Sequence, residues 1–365
     1  ILPLSAATGV QGKKDYDTLV YAMNTEPARL DPQNDALLNT MLVNKQIYNT
    51  LVVKNPETGE IEPSLAKSCL LYTSRFDSEN SRVVDAAHIE IKLKETYGPA
   101  LNMLTSMKAA IVSKKYCENT PEAKLNREPV GTGPFKFVSW VSGDRITLKR
   151  NDNYWGDKPS YSNLIMRVIT DATARSIEVE TGGVDIIDTL NGKDIDRLEA
   201  GVKNVKLYTV PGYKIHYITF NEKDPILSKE KVRLAFAHAI NMQAVIKVAF
   251  GSAAIPATSS MATTIFGFMT EGAYHSYTNL YGKSNMLSVK STDAVVNSLL
   301  DKGRTELNEE KRKAIYGELQ DYMFKHAIWI HMSEPIISFA TRSYVQNFVP
   351  DAGVQVDLSK ITIAH

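Results

Sequence analysis

The residues best suited to chemistry in this chain are few and scattered. His326, His331 and Glu334 offer nitrogen and oxygen donors in one short stretch, but their spacing fits no zinc pattern of the His-Glu-x-x-His kind. His331 alternates within a strand pattern, and His326 stands at a helix end, where the helix dipole favours a cation. Asp185 and Asp188 invite a paired-carboxylate reading for acid–base work, yet at that spacing on a strand they fall on opposite faces. Cys69 and Cys117 have no Cys-x-x-Cys partner, so neither zinc nor redox chemistry is implied, and whether they pair is left open. Gly131 and Gly133 are the glycines of a possible phosphate cradle, but no Lys-Ser/Thr follows and the segment opens a strand, not a helix. No Gly-x-Ser-x-Gly elbow occurs, and spacing pairs no nucleophile with a base. These spacings point to no particular catalytic, metal or cofactor site.

Composition narrows the field further. A chain of 365 residues fits about two domains of ordinary size. Its 43% hydrophobic and 23% charged residues are ordinary for a globular protein. A net charge of +1 with no dense Lys/Arg run argues against a nucleic-acid surface. No apolar run approaches the roughly 20 residues of a membrane-spanning helix. Ile1 is not a start methionine, so the sequence reads as cut or processed. Its first nine residues fit the tail of an export signal or a flexible apolar leader equally well.

The elements that must position a bound molecule centre on Pro211 to Phe250. Ile215, Tyr217 and Thr219 alternate with their neighbours as in a strand, which breaks at Asn221 and Asp224-Pro225. Ser228 then suits the cap of a helix carrying Val232, Phe236 and Ile240, and Asn241 restarts the helical pattern up to Gly251. Upstream, residues 17–23 read as a strand, and Pro27 and Pro32 force an extended path after it. A helix is expected over 35–51, a strand over 87–93, a short helix and strand over 101–113, and a hairpin over 135–150. Residues 163–169 read as a strand, Asp171 caps a helix over 172–181 that stops at Gly182-Gly183, and another strand covers 184–188. Helices over 293–300 and 308–327 and a strand over 328–337 follow, then short strands over 345–349 and 361–363. Strand, helix and strand in succession mark an α/β fold with parallel pairing.

Several segments carry a resemblance, in the same order along the chain. They are Leu30-Asp31-Pro32, Pro129-Val130-Gly131-Thr132-Gly133-Pro134-Phe135, Asn153-Tyr154-Trp155, and Phe220-Asn221 with Pro225 and Val232-Arg233-Leu234-Ala235-Phe236-Ala237. Together they resemble the extracellular solute-binding proteins of peptide and nickel ABC importers. The resemblance implies an α/β, two-lobed periplasmic-binding-protein-like fold of type II, cluster C-like, with mixed sheets and some segments missing. Residues 15–212 would form lobe I, 213–330 lobe II and 331–365 the return to lobe I. Residues 213–221 and 328–337 would be the two hinge strands. Two stretches, 68–93 and about 262–275, depart from the family pattern and read as reductions of the lobes; an acidic residue that binds the peptide amino group in relatives has no counterpart here. The resemblance carries Thr25, Glu26 and Asn221 over as solute contacts, with Tyr48 a weaker candidate that also reads as core. It further implies an exported, monomeric protein, periplasmic or at the cell surface, that hands a peptide to an ABC permease. Rival readings are a binder of nickel chelates, opines or oligosaccharides in the same family, or an unrelated α/β hydrolase or transferase.

Overall fold

The computed structural model describes residues 15–34, 37–56, 58–66, 76–85, 88–93, 100–221, 223–257 and 293–364. Strand β1 (Thr18–Met23) is apolar along its length because both its faces are covered. Leu19, Tyr21 and Met23 join one core, while Ala22, with Val20 against it, joins another. Helix α1 (Leu38–Ile47) lays Leu42, Val43 and Ile47 on the first core. It is shorter than the helix expected over 35–51. Tyr48 is already extended (φ −119°, ψ 161°), and the chain turns into β2 (Val52–Lys54), paired with β3 (Ile61–Pro63).

Part of the stretch that departs from the family pattern folds on itself. β4 (Phe76–Val83) and β5 (Ile89–Leu93) form an antiparallel hairpin, where one strand was expected. The sequence FDSENSRV has almost no apolar alternation, so β4 left no signal. Cys69 lies outside the described residues. Helix α2 (Ala100–Met103) and a 3₁₀ turn at Met107–Ala109 follow, but 111–113 form no strand: the Ile111 amide makes a single bond to the Asn49 carbonyl, at 2.9 Å. Helices α3 (Lys114–Asn119) and α4 (Glu122–Leu125) were not legible.

From there the expectations hold more closely. β6 (Phe135–Val141) and β7 (Arg145–Arg150) are the hairpin, and β8 (Asn163–Val168), α5 (Ala172–Thr181) and β9 (Ile186–Asp188) the strand–helix–strand unit. Asp171 Oδ1 accepts the Ala174 amide at 2.7 Å, and Gly182 ends the helix in the left-handed region at φ 83°. Helix α6 (Gly192–Glu199) and β10 (Val205–Pro211) lead to β11 (His216–Thr219), α7 (Glu230–Ala239) and α8 (Met242–Ala249). Ser228 does not cap α7: Lys229 occupies the capping position and no side chain bonds there. Asn241 does cap α8, accepting the Ala244 amide at 3.1 Å. β12 (Ala254–Pro256), α9 (Ala294–Thr305), α10 (Glu309–Lys325), β13 (Trp329–Arg342), β14 (Val345–Gln346) and β15 (Thr362–Ile363) complete the described chain.

The main sheet runs β10-β13-β9-β1-β8-β7-β6, with β11 and β12 also paired to β13. β1 is parallel to β8 and β9, and the remaining pairs are antiparallel, so the sheet is mixed. Helices α5 and α6 cover one face through Val179, Ile195 and Leu198. Helix α1 and Val356, Leu358 and Ile361 cover the other. A separate core gathers Leu299, Tyr316, Leu319 and Met323 of α9 and α10 with Ile328 and Trp329.

Strand β13 belongs to all three cores. Trp329 lies in the third, Phe339 in the first and Ala340 in the second. At about 3.3 Å per residue it runs roughly 45 Å, enough to join two packed bodies. It pairs first with β11, Thr219 opposite Trp329 and Tyr217 opposite His331, then with β10 from Pro211 opposite Ile336 to Val205 opposite Arg342. The two stretches expected to cross side by side do so.

Candidate functional site

In a sheet of this kind, ligands gather where parallel strands end. The register Met23 opposite Val168 and Ala22 opposite Ile187 brings the carboxyl ends of β1, β8 and β9 together at Asn24, Ile169 and Thr189. Thr25 is exposed on the loop that leaves β1. Asn39 on α1 shapes that loop, donating its side-chain amide to Asn24 Oδ1 and to the Thr25 carbonyl, both at 2.8 Å. Beneath the strand ends, the buried Arg175 donates to the carbonyls of Ile169, Thr170, Asp188 and Thr189 at 2.7–3.3 Å. Tyr21 donates its hydroxyl to Asp188 Oδ2 at 2.7 Å, and burial raises the pKa of that carboxyl.

Glu26 follows Thr25, but its carboxylate faces the β6–β7 hairpin. Oε1 accepts the Trp140 indole N–H at 2.6 Å, and Oε2 accepts the Gly143 amide at 3.1 Å. Arg127 lies 3.5 Å over the Trp140 ring and donates to Ser142 Oγ at 2.7 Å. Two lone-pair positions of the carboxylate stay open for a ligand. Tyr48 is only 5% exposed and sits in the first core. Burial drives its hydroxyl pKa far up, and it lines a cavity of about 180 Å³ with Asp31, Tyr116 and the free thiol of Cys117. Asn221 is exposed just past β11, far from Thr25 and Glu26 in sequence. Its Oδ1 accepts the Lys223 amide at 3.2 Å in a local turn. The structure thus keeps Thr25 and Glu26 on one loop, Tyr48 in the first core, and Asn221 just past β11.

The crossing holds residues that spacing did not reveal. The Gly212 amide donates to the Pro335 carbonyl at 2.8 Å, between the β10 and β11 pairings. His216 Nδ1 lies 2.8 Å from Ser333 Oγ, and its ring stacks on Phe250 at 4.9 Å. A serine beside a histidine suggests nucleophilic catalysis, but Ser333 is fully buried in the ladder and no substrate reaches it. Tyr213 is pushed up to about 12 by burial and by Asp351, whose Oδ1 also accepts the amides of Gly353 and Gln355 at 2.8 and 2.9 Å. Lys54 is lowered by burial, with Asp351 opposing the shift. The Asp-x-Gly at 351–353 was the one signal available for this loop. His331 is buried and pushed down to about 4, which keeps it neutral at physiological pH. Among the described residues no group of His, Cys, Asp and Glu could hold a metal ion, and no helix is long and apolar enough to cross a membrane.

A cavity of about 660 Å³ runs along the outer edge of β6, lined by Tyr116, Lys124, Arg127, Phe137 and Trp140. None of the strand-end residues borders it. Volume alone would place a ligand there, but the convergence of loop backbone and exposed polar side chains at the strand ends is the stronger indication.

Comparison with known proteins bears on the family and the fold. Residues 46–321 match the family described as "Bacterial extracellular solute-binding proteins, family 5 Middle". The dipeptide-binding protein of Escherichia coli (strain K12) is 30% identical over 199 residues, 53% of this chain and 37% of that protein. The glutathione-binding protein GsiB of Salmonella choleraesuis (strain SC-B67) is 31% identical over 186 residues, 51% of this chain and 36% of that one. The chain therefore matches little more than a third of the length of these relatives. Among solved structures, the periplasmic binding protein DppA of Helicobacter pylori in complex with the peptide STSA superposes with a TM-score of 0.78 at 18% identity, covering 95% of this chain and 98% of that one. The fold is that of the two-lobed periplasmic binding proteins, α/β with mixed sheets.

Proposed function

The chain belongs to the family 5 bacterial extracellular solute-binding proteins, and from that premise we propose that it captures a peptide outside the cytoplasm and delivers it, unaltered, to the permease of an ABC importer. The observation that carries this reading is β13, whose two ends are fixed in different cores while its middle pairs with the chain that crosses the other way. Two bodies joined by such crossings close by bending at the junction and trap what lies between them. We assign residues 15–212 and 331–365 to one lobe and 213–330 to the other. Thr25 and Glu26 present the contacts of the first lobe, and Asn221 one of the second, with Tyr48 a weaker candidate in the first. Extended peptides suit such a cleft because they expose backbone N–H and C=O groups at regular intervals. The protein acts as a monomer, in the periplasm or at the cell surface.

The test is calorimetry of the purified chain against pools of di- to pentapeptides, with small-angle scattering before and after addition. Saturable binding with a smaller radius of gyration is expected. Heat from a nickel–histidine chelate or an opine, with none from any peptide, would move the assignment to another solute of the family. Turnover of the added compound would replace transport by catalysis.

A further inference from the structure

Three helices carry an arginine as their fourth residue, and in each the guanidinium folds back to the carbonyls just ahead of the helix. Arg175 Nη1 reaches Ile169 and Thr170 at 2.7 and 3.0 Å. Arg233 Nη1 reaches Leu227 and Ser228 at 3.3 and 2.8 Å, and Arg312 Nη1 reaches Glu306 and Leu307 at 3.0 and 3.4 Å. All three arginines are buried. The local clasp uses one nitrogen of a planar fork that carries five N–H donors.

Two of the three use the rest of the fork on a second segment. Arg175 donates from Nε to the Asp188 carbonyl at 3.3 Å and from Nη2 to Thr189 at 2.8 Å. Arg233 donates from Nε to Ala327 and from Nη2 to His326, each at 3.2 Å. Both second segments contain a left-handed residue other than glycine, Thr189 at φ 54° and Ala327 at φ 44°. A side chain is disfavoured in that region, so something must hold it there, and the arginine bonds the carbonyl of that very residue in both cases. Arg312 has no such reach, and its Nε has no partner.

The segments so joined border the crossing and the strand ends. Arg175 ties the exit of β8 to the exit of β9, on either side of the loop carrying Thr25. Arg233 ties the loop that begins at Asn221 to the residues that lead into β13. We propose that Arg175 and Arg233 are a matched pair of positioning residues that fix the opposed lips of the solute cleft, one in each lobe. This rests on the peptide-binding reading for its consequence on affinity, but not for the clamp itself. Lysine does not reproduce either clasp, because its one compact ammonium lacks the planar fork whose separate nitrogens reach the two backbone segments.

Arg312 supplies the control. Arg175→Lys, Arg233→Lys and Arg312→Lys are each titrated by calorimetry with a peptide that the unaltered protein binds, well below the melting temperature of each variant. All three lower the melting temperature. The first two weaken binding at least tenfold, and Arg312→Lys leaves it within twofold. Equal loss in all three, or none in the first two, overturns the proposal. Hydrogen exchange of the protein without peptide reads the clamp directly. Exchange at Thr189 and Leu190 rises in Arg175→Lys, exchange at Ala327 and Ile328 rises in Arg233→Lys, and neither pair changes in Arg312→Lys. Unchanged exchange in the first two variants refutes the clamp even where no peptide binds; absence of peptide binding in the unaltered protein refutes the binding reading alone. Arg175→Gln and Arg233→Gln, which keep a planar amide with two donors, give intermediate values and serve if a lysine variant does not fold.

Discussion

The amide of Gly212 donates to the carbonyl of Pro335 at 2.8 Å, at the place where one body hands the chain to the other. Each residue fits its place for a different reason. A Cβ on Gly212 would lie 3.0 Å from the Pro335 oxygen and 3.2 Å from Ile337 Cγ1, so a side chain there pushes the two crossings a few tenths of an ångström apart. Pro335 has no N–H to donate, so the ladder is thinned at the point that must bend, while its fixed φ keeps the strand extended.

Gly212→Val should therefore be felt in both bodies. Overpacking of this kind costs about 1–3 kcal/mol. Urea unfolding followed by fluorescence should show a lower midpoint with an unchanged slope. A midpoint equal to that of the unaltered protein would mean that the crossings have room to spare.

Glu26 should matter to stability as well as to binding. Glu26→Ala removes the acceptor of the partly buried Trp140 indole and of the exposed Gly143 amide, at a cost of about 1 kcal/mol. A lower melting temperature with a shift in tryptophan emission is expected. Loss of affinity at unchanged melting temperature and emission would instead make Glu26 a solute contact alone.

Thr25→Ala and Asn221→Ala remove exposed side chains with little structural duty. Each should weaken peptide binding about three- to tenfold, the loss of roughly one hydrogen bond, and leave the melting temperature within about a degree. Calorimetry decides it. Two variants that bind as tightly as the unaltered protein would remove both residues from the site.

Stability should fall on acidification because of His331. Burial pushes its pKa from 6.5 to about 4 in the folded state. Between those values the unfolded chain binds the extra proton and the folded chain does not, so stability is full above about pH 6.5 and declines as pH drops towards 4. The loss is on the order of 3 kcal/mol. His216, lowered by burial and by Lys214, adds in the same direction. Urea midpoints at pH 7.5, 6 and 5 should decline, and His331→Phe should flatten the decline. An equally steep decline in that variant would assign it to other groups.

Much of this arrangement could be read from the sequence where the signal is local. Asp171 and Gly182 mark both ends of α5, Asn241 opens α8, and the alternation around Ile215–Thr219 marks a crossing strand, because caps and periodicity are properties of neighbours in the chain. The resemblance of Phe220-Asn221 to Ala237 placed that strand against 328–337, which periodicity alone could not do. What the sequence could not reveal depends on partners far along it. The resemblance marks Glu26 as a ligand contact, but only the fold shows that Trp140 also donates to it. Ser228 reads as a cap, but Arg233 takes its carbonyl and the helix starts later. Arg175 reads as an ordinary charge on a helix, and only the fold shows it beneath the strand ends.

Strand β13 also sets a timetable for synthesis. β9 and β10 meet only through it, and Trp329 at its start completes the core built on α9 and α10. A growing chain on the ribosome therefore holds one unfinished sheet and the unpaired strands β10, β11 and β12 until residue 342 has emerged. During that interval the open edges of β9, β10 and β11 are exposed to wrong pairing.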